Sequence, residues 1–198
     1  MGGMIAQAYA LAYPNASSAN TPIQHSHSTE PEMLSLTLAC TYSAPSPFCT
    51  RLFSLWADMA ARMSVQDVMR DVMLWAFTVP FFRTRESEVR EFEKAMEGLD
   101  MSLEAYLAQL NVIRVFDATE ALGKLEREGM RLGNLDRSRI MVLVGEEDIL
   151  IPVVLSRELC DSVGAVWRTT RGGHGCMWEF PGDFNCTYVE FLKGDSVK

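Results

Sequence analysis

Positive charge is scarce in this chain: its 198 residues carry 18 Lys and Arg against 26 Asp and Glu, a net charge of −8. Nucleic acid and anionic membranes are held through clustered Lys and Arg, so neither is expected as a partner. No apolar run approaches the roughly 18 residues of a spanning helix, which argues against a membrane span. Histidine is rarer still, with three in the whole chain. The five cysteines (Cys40, Cys49, Cys160, Cys176, Cys186) are odd in number and show no C-x-x-C spacing. That pattern fits neither a disulfide framework nor a zinc cluster. They read as reduced, mostly buried thiols, which points to the cytoplasm. No G-x-G-x-x-G or Walker pattern occurs, so no nucleotide cofactor is implied and none of another kind is expected. The first fourteen residues hold no Lys or Arg, and Gln7 interrupts their apolar stretch, unlike a secretory signal.

The hydropathy pattern divides the chain in three. Residues 2–13 read as a helix with small and apolar residues on nearly every side, hence a buried one. Residues 15–33 are polar, Ser/Asn/Pro-rich and aperiodic, and read as a surface loop. His25 and His27 lie in it as a lone H-x-H, too few donors for a metal site. Residues 34–40 alternate Leu34, Leu36 and Leu38 with smaller residues, as in a strand.

Residues 51–139 are the charge-rich segment, with 13 bases and 15 acids. The spacing predicts helices over 50–63, 64–79, 86–98, 101–114 and 117–128. Ser64 with Asp67, and Asp117 with Glu120, look like N-terminal capping pairs, and Pro80 is read as ending the second helix. The many Trp, Phe and Met residues here fit core packing between helices, with part of the surface lining an apolar pocket.

Ile140–Val144 is a continuous apolar run, the mark of a strand buried on both faces. A helix from Pro152 to about Val163, a strand over Ala165–Thr170, a tight loop Gly172-Gly173-His174-Gly175 and a helix over 181–193 complete the chain. The alternation implies a parallel α/β sheet, with 34–40, 140–144 and 165–170 as neighbours in that order. Reactive groups in such sheets sit in loops at the carboxyl ends of strands. Asp148 lies four residues beyond one strand end, and His174 four beyond the next. A carboxylate and an imidazole so placed can share a hydrogen bond that fixes the ring's tautomer.

At this point the chain resembles the α/β hydrolases. VLVGEEDILIP is similar to that family's strand and acid loop, and GGHGCMWEFPGDF to its histidine loop and final helix. MGGMIAQAYALAYP looks like the helix that follows the nucleophile elbow, a G-x-S-x-G turn. LSLTLACTY resembles the next strand, and the helical middle resembles the lid. The nearest likeness is to lidded carboxylesterases and 3-oxoadipate enol-lactonase.

The resemblance implies the C-terminal portion of an α/β-hydrolase sheet with an inserted helical lid. Residues 1–49 would be the post-elbow helix, loop and strand, 50–130 the lid, and 131–198 the core bearing the acid and histidine loops. It implies Asp148 and His174 as catalytic residues and the backbone N–H of Met1 as an oxyanion-hole donor. Trp56, Trp75 and Trp178 are expected to shape the acyl site. The substrate class is a small ester, thioester or lactone. The family's serine would fall just before Met1, so the sequence is read as lacking roughly 90 residues of strands and helices. The chain alone is accordingly expected to be inactive, and to self-associate through the exposed edge of its sheet. Cys176 and Cys40 are the remaining nucleophile alternatives. A non-catalytic pseudoenzyme, or half of a split protein, is the competing account.

Overall fold

The computed structural model describes residues 1–13 and 33–194. The stretch read as a polar loop, with His25 and His27, lies outside them except for Met33. The order of elements is α1 (Gly2–Ala12), β1 (Leu36–Ala39), α2 (Pro47–Ala60), α3 (Val65–Ala76), α4 (Val79–Thr84), α5 (Glu86–Glu97), α6 (Leu103–Val115) and α7 (Thr119–Arg127). Two 3-10 turns (Leu132–Asn134 and Arg137–Arg139) lead to β2 (Ile140–Gly145), α8 (Val153–Val163), β3 (Val166–Thr170), α9 (Cys176–Glu179) and α10 (Pro181–Lys193).

The three strands form one parallel sheet in the order β1-β2-β3. Leu36 pairs with Ile140, and Gly145 with Thr170 at the carboxyl edge. Strand β2 is buried along its whole length, as its unbroken apolar run requires. Ile140 and Val142 pack with Leu36, Leu38 and Leu159, on the face covered by α1 and α8. Met141 and Leu143 face the other way, onto Phe184 and Phe191 of α10. Helices on both faces are what a parallel sheet demands.

Helix α1 departs from the expectation of burial on every side. Met4, Gln7 and Ala10 are buried, one stripe at three-residue spacing flanked by the partly buried Ala6 and Leu11, while Ile5 and Tyr9 are exposed. Gln7, which reads as an interruption in the sequence, is fully buried. Its amide donates to Gly3 O at 3.2 Å and to Tyr42 O at 3.0 Å, tying the helix to the segment after β1.

The helical layer begins three residues earlier than its periodicity suggests. Ser46 accepts the Cys49 N–H at 3.2 Å, and Pro47 sits in the first turn, where its missing N–H costs nothing. Ser64 caps α3 as expected, accepting the Asp67 N–H at 3.1 Å. Asp117 caps differently, by accepting the Thr119 N–H at 2.9 Å rather than pairing with Glu120. Pro80 does not end a helix. Helix α3 stops at Ala76, and Pro80 lies in the first turn of the separate helix α4. Helix α9, after the histidine loop, also escapes the sequence pattern because it is only four residues long. Phe53, Trp56, Val68 and Leu110 of this layer pack with Tyr42, Leu150 and Ile151, which follow β1 and β2. The helices therefore rest on the carboxyl edge of the sheet.

This packing assigns opposite weights to two leucines of one segment. Leu38 is wholly buried and Leu34 is 69% exposed. Leu38→Ala is expected to lose about 2–5 kcal/mol, and Leu34→Ala to stay within about 0.5 kcal/mol of the parent. Urea unfolding of the two variants checks this, and comparable losses would contradict the register.

Candidate active site

The carboxyl ends of β2 and β3 lie side by side, and each runs into a loop that bears one reactive group. Asp148 closes a turn by donating its N–H to Gly145 O at 3.0 Å. Its carboxylate is buried, and Oδ1 accepts the Ile151 N–H at 2.8 Å. Oδ2 lies 3.0 Å from His174 Nδ1. A carboxylate can only accept, so Nδ1 carries a proton, and in the neutral ring Nε2 then holds the lone pair. The His174 side chain is 31% exposed and lines a cavity of about 210 Å³. Among the described residues, no hydroxyl hydrogen-bonds to the ring.

Glycine makes the approach of the two loops feasible. A Cβ on Gly145 would stand 2.1 Å from Gly173 O and 2.5 Å from Gly172 O. Glu147 N–H donates to Gly172 O at 2.9 Å across the same gap. Gly172 itself has φ +102, which an L side chain rarely adopts.

Glu179 is a buried tie beside the site that the sequence pattern does not flag. It is 1% exposed, yet it bears a carboxylate. Oε1 accepts the Gly173 N–H at 2.7 Å, while Oε2 accepts the Thr78 hydroxyl at 2.5 Å and the Thr78 N–H at 3.2 Å. Gly175 N–H donates to Ala76 O at 2.8 Å alongside. The histidine loop is thereby fastened to the α3–α4 corner of the helical layer. Nothing distinguishes Glu179 from a surface acid until the fold turns it inward.

The cavity also sorts the remaining expected residues. Met1 and Trp56 line it. Trp75 does not; it packs against the helical core with its ring 6.0 Å from that of Phe48. Trp178 is off the cavity as well, 55% exposed against Phe77 and Phe92. The cavity wall is otherwise mostly apolar, including Met4, Phe53, Leu110 and Ile151.

Cys40 Sγ, an Asp148 oxygen and a His174 ring nitrogen lie within 4.8 Å of one another, and Cys176 Sγ is 3.7 Å from Cys40 Sγ. Both Asp148 oxygens are already engaged, by Ile151 N–H and His174 Nδ1. The chemistry is that of an oriented imidazole rather than of an open ligand set. Cys40 is the one non-glycine residue with positive φ among the described residues, at +47. Its hydrogen bond with Cys176, together with burial, pushes its thiol well above the usual range. A protonated, buried thiol is a poor nucleophile. All five cysteines are free; four are buried and Cys186 is exposed.

No known family profile matches the chain, and no curated protein matches it in sequence. Solved structures do. The α/β hydrolase enzyme MGS-M2, from a Medee basin deep-sea metagenome library, superposes with TM-score 0.75 at 15% identity, over 100% of this chain and 64% of that one. The enol-lactonase of Burkholderia xenovorans LB400 gives 0.70 at 19%, over 98% and 63%. A thermophilic esterase of Thermogutta terrifontis gives 0.69 at 18%, again over 98% and 63%. The chain has the α/β-hydrolase fold, and it spans less than two thirds of the length of these structures.

Two variants test how the loops are held. Gly145→Ala is expected to cost about 1–3 kcal/mol through overpacking, and to separate Asp148 from His174. Glu179→Ala strips three donors of their acceptor and is expected to cost about 3 kcal/mol or more. Thermal melts measure both. A Gly145→Ala protein as stable as the parent would refute the close approach.

Proposed function

We propose that the protein is a hydrolase of a small carboxylic ester, thioester or lactone, in which His174 acts as general base and then general acid and Asp148 orients it. The observation that carries this reading is the 3.0 Å bond from the buried Asp148 carboxylate to an imidazole that faces an apolar cavity. A hydroxyl held near Nε2 would surrender its proton as it attacked the substrate carbonyl. The imidazolium so formed, stabilised by Asp148, would protonate the leaving oxygen or sulfur. Water would then repeat the sequence to release the acid.

The hydroxyl is proposed to be a serine on the residue preceding Met1, contributed by the rest of a longer protein, with the Met1 backbone N–H as an oxyanion donor. Helices within 50–130 are proposed to act as the lid, with Trp56 shaping the acyl site. The reduced thiols fit a cytoplasmic setting. The exposed Ile5 and Tyr9 of α1, near the β1 edge, fit self-association of residues 1–198 when produced alone. No helix among the described residues is long and apolar enough to cross a membrane.

Turnover of p-nitrophenyl butyrate tests the reading. Residues 1–198 alone should be inactive, because losing the nucleophile removes most of a triad's acceleration. Joining them to a hydrolase segment that ends in Gly-His-Ser should generate activity. His174→Ala should abolish that activity, and Asp148→Asn should lower it by about 10³–10⁴-fold. Activity of the joined protein that survives His174→Ala would overturn the assignment. So would activity of residues 1–198 alone that depends on Cys176 or Cys40.

A further inference from the structure

His174 is held from two directions. Asp148, on the sheet edge, holds its ring at Nδ1. The helical layer holds the main chain on either side of it. Gly173 N–H donates to Glu179 Oε1 at 2.7 Å, and Gly175 N–H donates to Ala76 O at 2.8 Å. Glu179 Oε2 in turn accepts the Thr78 N–H at 3.2 Å and the Thr78 hydroxyl at 2.5 Å. The two residues that flank His174 therefore both end on the corner between α3 and α4, one directly and one through Glu179. Space there is as tight as the bonding. A Cβ on Gly173 would stand 2.8 Å from Ala76 O, and one on Gly175 would overlap the Phe77 ring.

The link from Gly173 through Glu179 to Thr78 runs in series, and it needs a carboxylate. Both of its oxygens meet donors, and an ionised carboxyl group only accepts. An amide at this position would offer one oxygen and would turn its NH₂ toward a backbone N–H at the other end. The corner itself belongs to the helical layer and not to the sheet. It is the end of α3, whose Met69 and Val72 pack within that layer and also line the cavity. One helix therefore walls the cavity and carries the anchor of the histidine loop.

We propose that Glu179 and Thr78 are positioning residues for His174, which make the orientation of its ring depend on the docking of α3, so that the Asp148–His174 pair is assembled only while this wall of the cavity is in place. Asp148 sets which nitrogen carries the proton, and the tie sets whether the ring lies where Asp148 reaches it. The inference rests on the proposed reading of His174 as the general base.

Nitrogen-15 NMR of the His174 ring in residues 1–198 tests the tie without any turnover. The ratio of Nδ1- to Nε2-protonated neutral ring should fall about three- to tenfold in Glu179→Gln and in Thr78→Val, the worth of one net hydrogen bond. Thr78→Ser, which keeps the hydroxyl, should restore it. Leu122→Ala removes a buried side chain from the core that includes Leu36 and Leu159. It should lower the melting temperature and leave the ratio as in the parent. If Glu179→Gln does not fold, the two Thr78 variants decide. A folded Glu179→Gln or Thr78→Val protein that keeps the parent ratio, or a ratio that falls as far in Leu122→Ala, overturns the positioning role and leaves the hydrolase reading standing. In the protein joined to a segment ending in Gly-His-Ser, the two tie-breaking variants should lower kcat by about 10–10²-fold with KM little changed, as a displaced base does. A lowered ratio with undiminished kcat overturns the reading of His174 as the base.

Discussion

The hydrogen bond between Asp148 and His174 depends on an approach of two backbones that only glycine permits. Gly145 ends β2 against the carbonyls of Gly172 and Gly173, and any side chain there would overlap them. Because β2 and β3 are parallel and adjacent, their loops leave from the same edge, and the absence of a Cβ lets those loops touch. The acid then reaches the imidazole at 3.0 Å while Ile151 N–H holds its second oxygen. Orientation of the ring is thus a property of the main chain more than of the two side chains.

The rest of the architecture keeps that edge in place through a few buried polar ties. Glu179 fastens the histidine loop to Thr78 and so to the helical layer. Gln7 joins α1 to the segment after β1, and Ser156 donates from α8 to Thr41 O at 2.7 Å. Each is a buried hydrogen bond in an apolar setting, where breaking it is expensive and the geometry is therefore well specified.

Much of this was legible in the residues themselves. The apolar run Ile140–Val144, the alternation of Leu36 and Leu38 and the glycine-flanked His174 carry strong local signals, and the strand order followed from them. Asp148 and His174 could be paired because each lies four residues past a strand end. What escaped depends on packing at long range. Glu179 looks like any acid until the chain folds over it, and Gln7 looks like a flaw in an apolar helix. Pro80 reads as a stop because proline marks both helix ends and helix starts, and only the turn at Phe77 tells which. Trp56, Trp75 and Trp178 share an aromatic character that cannot say which of them faces a cavity; Trp56 does, and the other two do not.

The central claim is that Asp148 fixes His174 with its proton on Nδ1 and its lone pair on Nε2. Nitrogen-15 NMR of the imidazole near neutral pH reads this directly in residues 1–198, with a His174→Gln spectrum to subtract His25 and His27. The account predicts that the neutral form of the His174 ring carries its proton at Nδ1, a preference lost in Asp148→Ala. A His174 ring that carries its proton on Nε2 in the parent protein, or that is indifferent to Asp148→Ala, would contradict it.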